Sequence, residues 1–212
     1  MGQYGSKGTY SGYDRKNKER EALDYYSTPT EEVTNILNRL NIDFNRQTIL
    51  EPCAGGGHML KGILDYKGSE GAIIKASDIK ERGNVSGLKI NNGIEYDFLS
   101  DNYPFTTGID YIIMNPPYSV IEPFVLKSLE IAQKKVILLG RLQFLEAESR
   151  FNKIFSILKP TEVYVYVDRI ACYKNGNVLE KISSAQAYAW FVFEKGVNGP
   201  TITDWIRRID KY

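Results

Sequence analysis

The chain has 212 residues and a mass of 24.1 kDa, with 42% hydrophobic and 25% charged residues. That composition suits roughly one domain with a sizeable core and excludes wholesale disorder, a collagen-like chain and a coiled coil. Lys+Arg number 27 against 26 Asp+Glu, a net charge of +1, so a polymer substrate would be met through a local patch rather than by overall charge.

Residues 1–20 read as a flexible basic arm. Five basic and two acidic side chains give it a local excess of positive charge, between Gly2, Gly5, Gly8 and Gly12. It has no apolar run of the secretory type. Thr28-Pro29-Thr30-Glu31 predicts a helix start, with Thr28 as cap, Pro29 in the first helical position and Glu31 closing a capping box. Val33, Ile36, Leu37 and Leu40 then recur at helical spacing. A short strand is expected at Thr48–Glu51, a tight glycine loop at Cys53–Gly57, a helix from His58 to Tyr66 and a strand over Gly71–Asp78. No element is clear from Arg82 to Glu95. A buried strand over Ile109–Met114 is halted by Asn115-Pro116-Pro117-Tyr118. A helix over Pro123–Gln133, a strand over Lys135–Leu139 and a helix over Ala147–Leu158 follow.

Alternating strands and helices predict a parallel α/β sheet. The two late β-runs, Val163–Val167 and Tyr188–Phe193, have no helix between them and should pair antiparallel. They are joined by a long excursion, Asp168–Ala187, with an Asn-Gly hairpin tip at Lys174–Asn177.

Cys53 and Cys172 form no CxxC pair and His58 is the only histidine. This points to a reducing cytosol, with no disulfide scaffold and no metal site. No run reaches about 18 apolar residues, so no membrane span is expected.

Two motifs carry chemistry. Glu51-Pro52-Cys53-Ala54-Gly55-Gly56-Gly57 lies between a strand and a helix, where glycines let the backbone bend and approach a ligand. It lacks the Gly-Lys-Ser/Thr of a P-loop. Asp78 ends the next strand, a position suited to ribose hydroxyls. Asn115-Pro116-Pro117-Tyr118 sits where a parallel strand ends, the edge at which such sheets bind ligands. Its two prolines stiffen the turn and remove two N–H donors. Carbonyl acceptors, the Asn115 side chain and an aromatic ring remain, which suit a planar amine.

These residues resemble the S-adenosylmethionine-dependent amino-methyltransferases, and in motif order the phage-type DNA adenine-N6 group. Asn115–Tyr118 is similar to the catalytic tetrapeptide, Glu51–Gly57 to the cofactor loop and Asp78 to the ribose-holding acid. Tyr96-Asp97-Phe98-Leu99 is similar to the motif beside the cofactor's adenine, and Tyr26-Ser27-Thr28-Pro29 to the N-terminal motif beside its methionine end. Ser184–Lys195 and Leu142–Glu146, with Arg150 following, are similar to further segments of that group, so the likeness spans Tyr25 to Lys195.

The resemblance implies a Rossmann-like, class I methyltransferase sheet of seven mostly parallel strands with the last antiparallel. It implies a catalytic domain at 21–195 and leaves residues 196–212 as a C-terminal tail. Asn115, Pro116, Pro117 and Tyr118 would be catalytic. Tyr26, Thr28, Pro29, Glu51, Pro52, Cys53, Ala54, Gly55, Gly57, Asp78, Asp97, Phe98 and Asn115 would face S-adenosylmethionine. Asn115, Tyr118 and Arg141 would meet the substrate. The implied partner is double-stranded DNA, with a specificity partner or a second copy of the chain supplying what so short a chain lacks. The implied setting is the cytoplasm of a bacterium or a phage-infected host. A base would be flipped out and methylated directly. Two other readings stay open: methylation of RNA bases or protein glutamine by the same chemistry, and a non-catalytic cofactor-binding protein.

Overall fold

The computed structural model describes residues 26–80, 82, 85, 88, 92, 93, 95–174, 181–183 and 186–209. The basic arm and the Asn-Gly tip lie outside the described residues.

In chain order the elements are β1 (Tyr26–Ser27), α1 (Thr30–Leu40), β2 (Thr48–Glu51), α2 (His58–Asp65), β3 (Ile73–Ala76), β4 (Asn92–Gly93), β5 (Ile109–Met114), α3 (Ile121–Ile131), β6 (Ala132–Arg141), α4 (Glu148–Arg150), β7 (Glu162–Tyr166), β8 (Ala171–Lys174), β9 (Lys181–Ser183), β10 (Tyr188–Glu194) and β11 (Ile202–Ile206). The main sheet runs β11-β7-β10-β6-β5-β2-β3-β4. β10 is antiparallel to both β6 and β7. The seven strands expected from sequence are therefore present, with the expected antiparallel member. An eighth, β11, pairs parallel with β7 at the edge, and is built from residues set off as a tail. A second sheet, β1-β8-β9, is antiparallel throughout.

The strands read as unbroken apolar runs because both faces of the sheet are covered. Ile49, Ile113, Ile137, Leu139, Trp190 and Val192 point to the side holding α1 and α2. Leu50, Ile112, Met114, Val136, Leu138, Phe191 and Phe193 point to the side holding α3. α1 and α2 touch closely at Gly62. A Cβ there would lie 2.5 Å from the Val33 Cβ and 2.7 Å from the Thr30 carbonyl oxygen.

One polar chain crosses the first core. Trp190 Nε1 donates to Tyr166 Oη (2.9 Å), and Tyr166 Oη donates to the buried Glu32 carboxylate (2.9 Å). Glu32 also accepts from Asn35 Nδ2 and from the Ile209 N–H, and Asn35 donates to the Arg207 carbonyl. Arg39 pairs with Asp204. The segment from β11 onward is thereby fastened to α1.

Three local expectations change. Pro29, not Thr28, caps α1, and no side chain bonds the helix end. The capping box is absent because the Thr28 hydroxyl serves a remote partner, described below. The helix expected over Ala147–Leu158 is one α turn followed by a π turn at Phe151–Phe155, closed by the Ser156 N–H on the Phe151 carbonyl. The unassigned 82–95 stretch contains the two-residue strand β4.

Candidate active site

β5 ends at Met114, Asn115 follows it, Pro116 and Pro117 halt the ladder, and a 3₁₀ turn at Tyr118–Val120 leads into α3. The Asn115 amide is held from behind. Its Nδ2 donates to the Tyr26 carbonyl (3.2 Å) and to Thr28 Oγ1 (2.9 Å). Both amide hydrogens are used, which fixes the group's orientation. The backbone N–H of Asn115 also faces the Cys53 sulfur. Among the described residues no donor meets Asn115 Oδ1 or the Pro116 carbonyl. Two acceptors are thus left unused at the carboxyl edge of the sheet.

The glycine loop after β2 places two acids nearby. Asp78 accepts from the Gly55 N–H (2.8 Å) through one oxygen and from the Lys80 N–H (3.0 Å) through the other. Burial raises the Asp78 carboxyl above its usual range, and those N–H groups only partly offset it. Glu51 is 2% exposed, and among the described residues its Oε2 has no hydrogen-bond partner. Burial, then the charge of Asp78, push its carboxyl well up, against one opposing bond from the Leu60 N–H. A buried acceptor without a donor is costly, so Glu51 suits a cation or a hydroxyl arriving from outside the chain. The Cys53 thiol is pushed well up by burial, then by Glu51 and Asp78, and stays protonated. Burial lowers His58 at the start of α2.

One cleft gathers Tyr26, Cys53, Asp78, Asp97, Phe98, Asn115, Pro116, Pro117, Tyr118 and Arg141. A smaller adjoining hollow is lined by Thr28, Glu51, Ala54, His58 and Met59, and shares Tyr26, Cys53 and Asn115 with the cleft. Among the sequence-predicted residues, Pro29, Pro52, Gly55 and Gly57 line neither space; they shape the backbone behind it. Gly57 takes φ +81° as the residue preceding α2, a conformation that favours glycine. Asp97 turns its own loop by accepting the Leu99 N–H (3.0 Å).

The Arg141 guanidinium carbon stands 4.5 Å from the Tyr118 ring centroid, a cation–π stack. Arg150 instead folds back on the Glu146 carbonyl (2.7 Å).

Sequence reading missed Ile79, Arg82, Leu99, Val120, Phe124, Gly140 and Tyr188, which also line the cleft. Tyr188 is brought there by antiparallel pairing with Arg141, a relation with no local signal. Ile79, Leu99 and Val120 are sequence neighbours of predicted residues, and adjacency could have found them.

Among the described residues no group of three or more His, Cys, Asp or Glu could hold a metal ion. No described helix is long and apolar enough to cross a membrane.

The architecture defines the class. The chain has the Rossmann-like class I methyltransferase fold, and solved structures of that fold superpose on it. A candidate RNA methyltransferase from Pyrococcus horikoshii matches with TM-score 0.60 and 21% identity, over 82% of this chain and 88% of that one. A candidate class I S-adenosylmethionine-dependent methyltransferase from Listeria monocytogenes matches with TM-score 0.62 and 11% identity, over 84% and 63%. The methyltransferase subunit of a type I restriction-modification system from Streptococcus thermophilus matches with TM-score 0.61 and 14% identity, over 84% and 47%. The chain spans about half the length of that subunit. No family model and no curated protein matches the sequence.

Proposed function

We propose that this chain is an S-adenosylmethionine-dependent methyltransferase acting on an exocyclic amine of nucleic acid, first of all N6 of adenine in DNA. The observation that carries the reading is the tethered Asn115 amide. Its nitrogen is tied back to Tyr26 and Thr28, so Oδ1 and the Pro116 carbonyl remain as acceptors beside the Tyr118 ring.

The residues present fit the cofactor. Glu51 Oε2 is a buried acceptor awaiting a donor, Asp78 offers carboxylate oxygens in the cleft, and Phe98 and Phe124 supply an apolar wall. S-adenosylmethionine, when bound, supplies an electrophilic methyl group. Glu51 and the smaller hollow would receive its charged amino-acid end, Asp78 the ribose, and Asp97 with Phe98 the adenine.

The chain's own part is orientation. The tetrapeptide accepts both N–H groups of a planar amine and keeps electron density on its nitrogen, while Tyr118 stacks on the ring that bears it. Preorganised acceptors and fixed geometry lower the barrier without a strong base. The protonated Cys53 thiol leaves the amine as the reactive nucleophile. The Asn115 orientation also argues against a non-catalytic binding protein, which needs no aligned pair of acceptors.

RNA is the second reading. It is favoured by the Pyrococcus horikoshii structure, whose length this chain nearly matches. The restriction-modification subunit favours DNA, with a partner subunit supplying site choice. Incubation with methyl-labelled S-adenosylmethionine and duplex DNA, total RNA or ribosomal protein decides between them. N6-methyladenine in digested DNA is the expected product. N4-methylcytosine corrects the base, label in RNA or protein alone rejects DNA, and label in nothing rejects the enzyme.

A further inference from the structure

β1 is two residues long and belongs to the second sheet, where its neighbour is β8. The register sets Tyr26 against Lys174 and Ser27 against Tyr173. The carbonyl that accepts the Asn115 amide belongs to Tyr26, and the accepting hydroxyl belongs to Thr28, one residue beyond β1. The excursion between β7 and β10 therefore supports the strand that aims Asn115. Its far end is tied to the same edge: the Leu142 N–H donates to the Ala187 carbonyl (2.8 Å), and Tyr188 pairs with Arg141.

We infer that the β8–β9 hairpin is a positioning element for catalysis: by pairing with β1 it holds the acceptors that orient Asn115. This rests on the reading of Asn115 as the catalytic amide. A two-residue strand forms no stable ladder alone, so without β8 the Tyr26 carbonyl and Thr28 hydroxyl lose their placement. The amide can then rotate and present N–H where an acceptor is needed. A hairpin that only gripped substrate would change substrate affinity; a positioning hairpin changes turnover.

The test compares Tyr173→Pro/Lys174→Pro with Tyr173→Ala/Lys174→Ala. Successive backbone N–H groups in a strand point to opposite neighbours, so two prolines remove the donors toward both β1 and β9. The alanine pair removes only side chains. Measured on an adenine-containing DNA duplex, the proline variant should lose about 10- to 100-fold in kcat relative to the alanine variant, since small misplacements of catalytic groups cost that much. At saturating cofactor, KM for the DNA should stay within about threefold. The side-chain amide signal of Asn115 in a ¹⁵N spectrum, assigned by its loss in Asn115→Ala, should move in the proline variant and hold in the alanine variant.

Unchanged kcat, a loss confined to KM, or equal losses in both variants would overturn the inference. If the double-proline chain fails to fold, Tyr173→Pro and Lys174→Pro are each read by the same criteria, and the one whose N–H faces β1 should carry the loss. Turnover surviving in Asn115→Ala would sink the catalytic reading instead, and the amide signal would still report whether β8 aims the side chain.

Discussion

Thr28 Oγ1 lies 2.9 Å from Asn115 Nδ2, across 87 positions of sequence. A hydroxyl placed to cap α1 instead holds the amide just beyond β5. Thr28 is 3% exposed, which shields this bond from bulk water. Thr28→Val keeps the shape and removes the acceptor. Losing one such bond, worth about 1 kcal/mol, should lower kcat about fivefold with KM nearly constant. Thr28→Ser should restore it. Steady-state kinetics on the three proteins checks this, and equal kcat in the valine variant would refute the role.

The Tyr118 ring and the Arg141 guanidinium form one stacked pair in the lining of the cleft. Tyr118→Ala should cost about 100-fold in turnover through lost positioning, while Tyr118→Phe keeps most of it. Arg141→Ala should raise KM for nucleic acid and lower the slope of log affinity against log salt by about one, as expected for one phosphate contact. A salt slope equal to that of the parent protein would remove Arg141 from the phosphate path.

Glu32 is buried at 1% exposure. Burial raises its carboxyl above the usual range, and bonds from Asn35, Tyr166 and the Ile209 N–H, with the charge of Arg208, offset only part of this. The folded chain thus holds that proton more tightly than the unfolded one. The stability it contributes is present below the ordinary carboxylate range and is lost as pH rises through the elevated folded value. Glu32→Gln should flatten the fall of Tm with pH across that window. Thermal melts of both proteins over a pH series measure this; parallel curves would exclude Glu32 as the source.

Gly62→Ala sets two effects against each other. Alanine in a helix gains about 1 kcal/mol over glycine. Here the added Cβ would meet the Val33 Cβ at 2.5 Å and the Thr30 carbonyl oxygen at 2.7 Å, and overpacking costs about 1–3 kcal/mol. With a backbone atom among the obstacles, the clash should win and Tm should fall by several degrees. A rise in Tm would show that α1 and α2 can move apart freely.

The main strands, α1, α2, α3 and the Asn115–Tyr118 turn that halts β5 were legible in the chain because each rests on local chemistry. Ile109–Met114 is a continuous apolar run stopped by two prolines, and His58–Asp65 follows a loop that glycine alone can turn tightly. Local pattern assigns Thr28 to a helix cap, whereas its hydroxyl meets Asn115. Nothing near Ile202–Ile206 marks it as an edge strand, because its pairing is with β7, about 40 residues earlier.

The chemistry on offer, then, was already written in residue types and their order: a glycine loop, an acid after the next strand, and an asparagine with two prolines and a tyrosine at a strand end. Which way the Asn115 amide points was decided by folding alone. The Tyr26 carbonyl and Thr28 hydroxyl reach it only once the sheet and its β1–β8 partner are assembled. A hydrogen bond forms with whatever group packing brings within reach, and that distance belongs to the folded chain.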